Sequence, residues 1–232
     1  MGARIGIDVG GTFTDFILTR DDAPPLLHKV LSTPADPSIA VVTGLSELAA
    51  IVAPGKGVEA FAGSVDTIVH GTTVATNATL TGTGAKSALV TPKGVRDALE
   101  MRRGIREEQY NNAYTNVKPL VPRYLRAGVS GRLDRAGREL EPLSLDEIDE
   151  AIALFRREGV EAVSVCFMHS YANPEHEAAA AERIRAAMPE AFLTVSSTLL
   201  PSIRFYERVS TTALNSYVGP KLNRYVEQLV GR

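Results

Sequence analysis

Residues 4–18 read RIGIDVGGTFTDFIL, with an aspartate, two glycines and two threonines set between apolar runs. Backbone N–H groups exposed at a glycine-rich turn form an anion-binding concavity, and glycine lets the main chain approach a phosphate oxygen with no Cβ in the way. Thr12 and Thr14 add hydroxyl donors at the same place. Asp8 ends the first apolar run, where a carboxylate can hold magnesium through the ion's water shell, since that ion keeps several waters and favours nucleotide phosphates. The parts suit ATP with Mg2+. An ordinary Gly-Gly hairpin also accounts for the glycines.

A second stretch with chemical content is HGTTVATNATL, residues 70–80. A strand ending at His70 would deliver Gly71, Thr72 and Thr73 to a helix N-terminus, where free N–H groups and the helix dipole favour an anion or a carbonyl oxygen. Asn77 lies one turn further on the same face. His70 has the pKa range of a general acid or base near neutral pH. The plainer alternative is a capped helix, with Thr72 or Thr73 as N-cap and His70 packed at the strand end. In MRRGIREEQYNN, Arg102, Arg103 and Arg106 stand beside Glu107 and Glu108; an arginine pair can clamp a carboxylate or phosphate, and such a run also makes an ordinary solvated face. Arg204, Glu207 and Arg208 have the spacing of a helical ion-pair set. His28, His169 and His176 lack a second ligand at metal spacing.

These residues need a scaffold. The spacing predicts strands over Arg4–Asp8 and Phe13–Leu18, closed by Pro24 and Pro25, and a third strand in LLHKVLST. Asp36-Pro37 opens a helix whose apolar face is expected to be Ile39, Val42, Leu45, Leu48 and Ile51. Strand Asp66–His70 leads to a helix over Thr73–Leu80, and strand Ser87–Thr91 to a helix starting at Pro92–Val95, the alternation of an α/β unit. Residues 102–142 are charged, proline- and glycine-punctuated, with VSGRLD the one strand-like piece, and read as a surface excursion. Ser144 as N-cap with Glu147 three residues on, and Gly159 at the far end, bound a helix. VEAVSVCF and FLTVSS read as strands and NPEHEAAAAERIRAAM as a helix between them. The C-terminal RFYERVSTTALNSYVGPKLNRYVEQLVGR is helical, with a break expected at Gly219-Pro220.

With 232 residues, the chain suits one or two domains. Lys and Arg number 25 against 27 Asp and Glu, which argues against nucleic acid or an anionic membrane as partner. The single Cys166 excludes an intrachain disulfide, and no apolar run approaches a bilayer's span, so a cytoplasmic protein is expected.

The string D-x-G-G-T-x-T-D between two apolar strands resembles the first phosphate motif of the acetate and sugar kinase, heat-shock 70 and actin superfamily. The dinucleotide fingerprint and the P-loop are absent. Followed in order by HGTTVATNATL, VTPKGVRDALEMRRG, FMHSYANPEHE and LLPSIRFYERVSTTALNSYVGP, the hairpin is similar to the N-terminal region of the hydantoinase A, 5-oxoprolinase and acetone carboxylase β-subunit family, over most of the chain.

The resemblance implies an α/β fold: an actin-like ATPase (ribonuclease H-like) lobe with an N-terminal phosphate-binding β-hairpin and an inserted or second α/β subdomain. The expected organisation is 1–95 in the lobe, 96–200 in the second subdomain and 201–232 as a helical segment returning to the lobe, within a longer protein, because a second phosphate hairpin is absent. It implies ATP and Mg2+ as cofactors, with Asp8, Gly10, Gly11, Thr12, Phe13, Thr14 and Asp15 at the nucleotide and Asp8 holding magnesium through water. Asp8 and His70 are the implied catalytic groups, and Gly71, Thr72, Thr73, Asn77 and Arg102 the implied substrate contacts. The implied activity is ATP-dependent opening of a cyclic amide, with phosphorylation of the amide oxygen. The alternatives are a subunit of an ATP-dependent ketone carboxylase, or a non-catalytic actin-like assembly module. A cyclic amide or ketone and a second large subunit of the hydantoinase B type are the implied partners.

Overall fold

Strict alternation builds the first sheet. In the computed structural model, which describes residues 2–105 and 107–232, β1 (Ala3–Val9) and β2 (Phe13–Arg20) pair antiparallel with Asp8 opposite Asp15 and Val9 opposite Thr14. Ile5, Ile7, Val9, Phe16 and Leu18 point to one buried face, while Asp8, Phe13, Asp15 and Ile17 point to the other, exposed one. β3 (Ala23–Leu31) begins earlier than LLHKVLST and contains Pro24 and Pro25. It is the edge strand of the order β3-β2-β1-β4, so a proline without an N–H can stand in it. The strands of the first hairpin were legible; the prolines as strand terminators were not.

Asp36 caps α1 (Pro37–Val52) by accepting from the Ser38 N–H at 3.1 Å, with proline at the helix start. The face that α1 buries is Ser38, Ala40, Val41, Gly44, Leu48 and Ala49, leaving Ile39 and Ile51 exposed. Gly44 explains the rotation from the expected face: a Cβ there would lie 2.2 Å from the Phe16 ring, so the ring occupies the glycine's space. α2 (Val58–Ala62) adds Phe61 to the same core. β4 (Thr67–Thr72) then pairs parallel with β1, and α3 (Val74–Thr81) follows directly.

The chain divides into two compact units, Met1–Thr83 with Lys221–Arg232, and Gly84–Pro220. In the second, β5 (Ser87–Pro92), α4 (Ala98–Met101), a 3-10 turn (Arg123–Leu125), β6 (Arg126–Val129), the two-stranded β7 (Arg132–Leu133) and β8 (Glu139–Glu141), α5 (Leu145–Arg157), β9 (Ala162–Val165), α6 (Glu175–Ala187), β10 (Phe192–Val195) and α7 (Ser196–Leu199) follow in order. The parallel sheet β10-β9-β5-β6 forms its centre. β5 is buried along its whole length, as a central parallel strand must be, and its pairing with β6 and β9 puts residues 84–95 with this unit. Ile148, Phe155 and Ile184 pack with Leu89, Val163 and Val165 in the core. The stretch 102–142 is thus no mere excursion, since β6 completes the sheet.

α8 (Phe205–Val230) runs through Gly219-Pro220 without the expected break. Proline's fixed φ is helical, and its cost there is one missing N–H bond. The passage from one unit to the other falls at this proline. Among the described residues no helix is long and apolar enough to cross a membrane.

Candidate functional site

A row of four paired positions crosses the exposed face of the first sheet: Lys29, Asp15, Asp8 and Gly71. Lys29 Nζ stands 2.9 Å from Asp15 Oδ1 and 4.8 Å above the Phe13 ring. Asp8 makes no hydrogen bond or ion pair among the described residues, and a Cβ at Gly71 would lie 3.7 Å from its Oδ1, so the glycine keeps space open beside the carboxylate. One carboxylate is neutralised by its neighbour and the other is available.

At the tip of the hairpin, Gly10 N–H donates to Phe13 O at 3.0 Å and closes the turn. A Cβ on Gly10 would lie 2.9 Å from that oxygen, which demands glycine. The next two N–H groups, of Gly11 and Thr12, donate to no protein acceptor among the described residues. Adjacent free N–H groups at a turn are the physical basis of an anion site.

Thr14 stands apart from this face. It is fully buried beside Val9 and Phe16, and its hydroxyl shares a 3.0 Å hydrogen bond with Ser32 Oγ, which donates to Gly10 O at 2.9 Å. Ser32 N–H also donates to Thr12 O at 2.9 Å. Thr14 therefore props the turn from inside, and Ser32, which sequence reasoning did not single out, is the post between them.

The HGTT corner is held by local bonds. Thr73 N–H and Oγ1 both donate to Val9 O, at 3.1 and 3.3 Å, while Thr72 Oγ1 accepts from Val74 N–H at 3.2 Å. Asn77 Nδ2 donates to Thr73 Oγ1 at 3.1 Å, and a Cβ on Gly11 would approach that nitrogen to 3.1 Å. The corner thus abuts the hairpin tip.

His70 pairs in register with Ile7 and so projects to the sheet face opposite Asp8. Its Nε2 is 2.6 Å from the Tyr225 hydroxyl, and its Nδ1 is buried without a partner among the described residues. Burial lowers its pKa below the usual histidine value, with the nearby negative charge of Asp8 working in the other direction. Burial, and secondarily the charge of Asp36, pushes the Tyr225 phenol up to about 12. The two implied catalytic groups, Asp8 and His70, are thus on opposite sides of one sheet.

Arg102 belongs to the second unit, whereas Gly71, Thr72, Thr73 and Asn77 belong to the first. It has φ 55° and pairs with Glu107, whose carboxyl it pulls down to about 2 with help from Tyr114. Arg103 pairs with Glu207, and Arg106 lies outside the described residues. Arg208, expected in a helical ion-pair set, is fully buried and donates to the carbonyls of Ser202 and Phe167 instead. His28 and His176 face Glu47 and Glu139, each at 2.7 Å.

Among the described residues no three His, Cys, Asp or Glu side chains gather where they could share a metal. Asp8 alone fits magnesium held mainly through water and phosphate, the habit of that ion at nucleotide sites.

A free-N–H hairpin beside an open carboxylate is consistent with what comparison finds: the family described as the hydantoinase/oxoprolinase N-terminal region matches residues 4–188. The chain belongs to that family. It is 40% identical to caprolactamase subunit alpha of Pseudomonas jessenii, over 97% of this chain and 32% of the relative. It is 33% identical to the acetophenone carboxylase gamma subunit of Aromatoleum aromaticum, over 92% of this chain and 31% of that one. The crystal structure of the ATP-dependent caprolactamase from Pseudomonas jessenii superimposes with a TM-score of 0.88 over 97% of this chain and 33% of its own. The chain spans about a third of the length of the relatives it matches. The hydantoinase/oxoprolinase resemblance carried by the sequence blocks is therefore correct, as is the α/β fold.

Two further residues near the hairpin escaped sequence reasoning. Lys221 and Arg224 line a pocket with Gly10, Gly11 and Thr12; with Tyr225 they share one helix face at i, i+3 and i+4, a spacing visible in KLNRY.

Proposed function

We propose that this chain is the ATP-binding N-terminal part of an ATP-dependent cyclic-amide hydrolase. The observation that carries the reading is the hairpin, where the N–H groups of Gly11 and Thr12 and the exposed carboxylate of Asp8 have no partner among the described residues. The glycines give the phosphates close approach to the main chain, and Asp8 would hold magnesium through water. Bound magnesium would spread the charge of the transferring phosphoryl group. Transfer of the γ-phosphoryl group to the amide oxygen would release ADP and leave the ring carbon electrophilic. Water would add there, the C–N bond would break to open the ring, and a second water would release inorganic phosphate from the resulting acyl phosphate.

Within this reading Gly71, Thr72, Thr73 and Asn77 form the wall on which the amide is held, and Asp15 with Phe13 and Lys29 fixes the outer side of the hairpin. Thr14 contributes by holding the turn. His70 serves through Tyr225 rather than by reaching the phosphates from the Asp8 face. Arg102 is retained as a substrate contact. ATP use supports the cytoplasm as the place of action, and the subunit names of the relatives support a large partner of the hydantoinase B type.

A ketone carboxylase subunit is the second reading, supported by the acetophenone carboxylase relative at 33% identity. The 40% identity to the caprolactamase subunit favours the cyclic amide. The deciding experiment incubates the complete enzyme, with its partner subunit, with ATP and either a cyclic amide or a ketone plus bicarbonate. ADP release dependent on the cyclic amide is expected; release dependent on ketone and bicarbonate alone would reverse the choice. The 232-residue chain alone is expected to bind ATP weakly and turn over nothing.

A further inference from the structure

Two sequence blocks, FMHSYANPEHE and LLPSIRFYERVSTTALNSYVGP, have no part in the nucleotide site proposed above, and both lie in the second unit. The sheet of that unit runs β10-β9-β5-β6. From β5 the chain moves outward to β6, and from β9 it moves outward the other way to β10. Open parallel sheets bind ligands beyond the carboxyl ends of their strands where the connections part in this way. Here that place lies between β5 and β9, whose ends are tied by Thr91 Oγ1 donating to Cys166 O at 2.9 Å.

Just beyond β9, His169 has φ 61°, a backbone region that is costly for a residue with a Cβ. Ala172 and Asn173 hold it there by donating their N–H groups to His169 O at 2.9 and 3.3 Å. The turn sets His169 Nδ1 3.3 Å from the Tyr171 hydroxyl and leaves Nε2 without a partner among the described residues. Arg208 comes to the same turn from α8, its guanidinium 5.7 Å from the centre of the Tyr171 ring. The terminal nitrogens of Arg208 donate to Ser202 O and Phe167 O, while its Nε is buried with no partner among the described residues. Arg132, the first residue of β7, is partly exposed, and its side chain makes no hydrogen bond or ion pair among the described residues.

The acids of this neighbourhood are committed elsewhere. Asp134 accepts from the Arg138 guanidinium at 2.8 Å and from the N–H groups of Ala136 and Arg138. Glu177 accepts from Phe167 N–H, Ser196 Oγ and Ser197 N–H. Burial, and then the charges of Arg132 and Arg208, hold the His169 pKa below the ordinary value, with Asp134 working the other way. The ring thus stands in a positive field, and such a field concentrates anions.

We infer that the turn after β9 binds the carboxylate group of a small molecule between Arg132 and His169, with the charge of Arg208 behind them. A guanidinium presents two parallel N–H groups to a planar carboxylate, and the free Nε2 of His169 supplies a further donor once protonated. A single negative charge suits one unpaired guanidinium and one imidazole. None of these residues is assigned to the nucleotide, so the site stands or falls independently of the ATP reading.

The histidine C2–H resonances of the 232-residue chain are followed by NMR at about pH 6, close to the ordinary histidine pKa, while sodium acetate replaces sodium chloride at constant ionic strength. His169→Gln identifies the resonance among the four histidines. A saturable shift at His169, toward its protonated position, is expected. Arg132→Gln removes a charge-assisted contact and should raise the acetate dissociation constant about tenfold; because the Arg132 side chain bonds to nothing in the fold, this variant keeps the native structure. No saturable shift at His169, a shift of equal size at His28 and His70, or an unchanged dissociation constant in Arg132→Gln each overturns the site. Sodium phosphate added in the same way tests the ligand class: saturation by phosphate and not by acetate overturns the carboxylate assignment.

Discussion

The Nε2 of His70 and the hydroxyl of Tyr225 meet at 2.6 Å, joining β4 to the last turns of α8 across 155 positions of sequence. Tyr225 is almost fully buried, and the other ring nitrogen of His70 has no partner among the described residues. Tyr225→Phe would therefore leave both imidazole nitrogens unpaired, at a cost of roughly 1–3 kcal/mol. A urea midpoint lowered with an unchanged m-value checks this; an unaltered midpoint would mean the bond contributes nothing.

The same histidine sets a pH dependence. Its folded pKa is below the ordinary 6.5 chiefly because burial penalises the charged ring. The unfolded chain then binds more protons than the folded one as pH falls through 6.5, so the contribution is fully present above 6.5 and lost below it. His169 is lowered in the same direction, by burial and by the charges of Arg132 and Arg208. Melting temperatures taken from pH 7.5 downward should fall through this window, and His70→Gln should flatten the fall in part, leaving the His169 share.

Gly44 is the contact on which α1 seats. An alanine methyl there would meet Phe16 at 2.2 Å, and the buried ring has little room to withdraw. Overpacking of this kind costs about 1–3 kcal/mol, against the small gain that Gly→Ala brings in an open helix position. Thermal denaturation should show Gly44→Ala destabilised and Gly44→Ala/Phe16→Leu largely restored.

How far the sequence could be read follows from what each residue's neighbours impose. The hairpin strands, the Asp36 cap and the Ser144 cap are local decisions, and each is where the pattern put it. Glu147 shows the limit: Ser144 accepts its N–H at 3.3 Å as expected, while its carboxylate turns away to Ser130 N–H at 2.6 Å and to Lys93 rather than back to the cap. The α1 face was misread because Gly44 looks featureless until Phe16 lies on it. β6 was missed because four residues, RAGV, carry no period, and only its neighbour β5 makes them a strand. For the site, period-two alternation already implied that Thr14 and Asp15 part company, whereas Tyr225 beside His70 is a tertiary fact that no local pattern holds.

Glu177 is fully buried, and its carboxylate accepts from Phe167 N–H at 2.7 Å, Ser196 Oγ at 2.5 Å and Ser197 N–H at 2.7 Å. Arg208 donates to Phe167 O from the other side of the same residue. The two opposite charges thus hold the N–H and the C=O of one residue, and removing either leaves a buried Phe167 backbone group without its charged partner. Glu177→Ala or Arg208→Ala should each cost about 3 kcal/mol or more, because each removes more than one hydrogen bond to a charged group. Because both act on the same residue, the double variant should cost less than the sum, and a double-mutant cycle in urea reads that coupling directly.

Asp8 and Asp15 are paired across the hairpin, yet Lys29 neutralises only Asp15, so the two variants should behave differently. An exposed ion pair contributes roughly 0.2–1 kcal/mol, and Asp15→Asn should lower stability within that range with little change in nucleotide affinity. Asp8→Asn removes an uncompensated carboxylate. Its effect on ATP should depend on the metal: affinity with magnesium falls by about tenfold, the loss of roughly 1.4 kcal/mol, while affinity in EDTA is unchanged or slightly higher because a like charge near the phosphates has gone. Calorimetric titration of ATP with and without magnesium reads the sign in each condition. Equal losses with and without metal would show that Asp8 supports the hairpin's shape and not the ion.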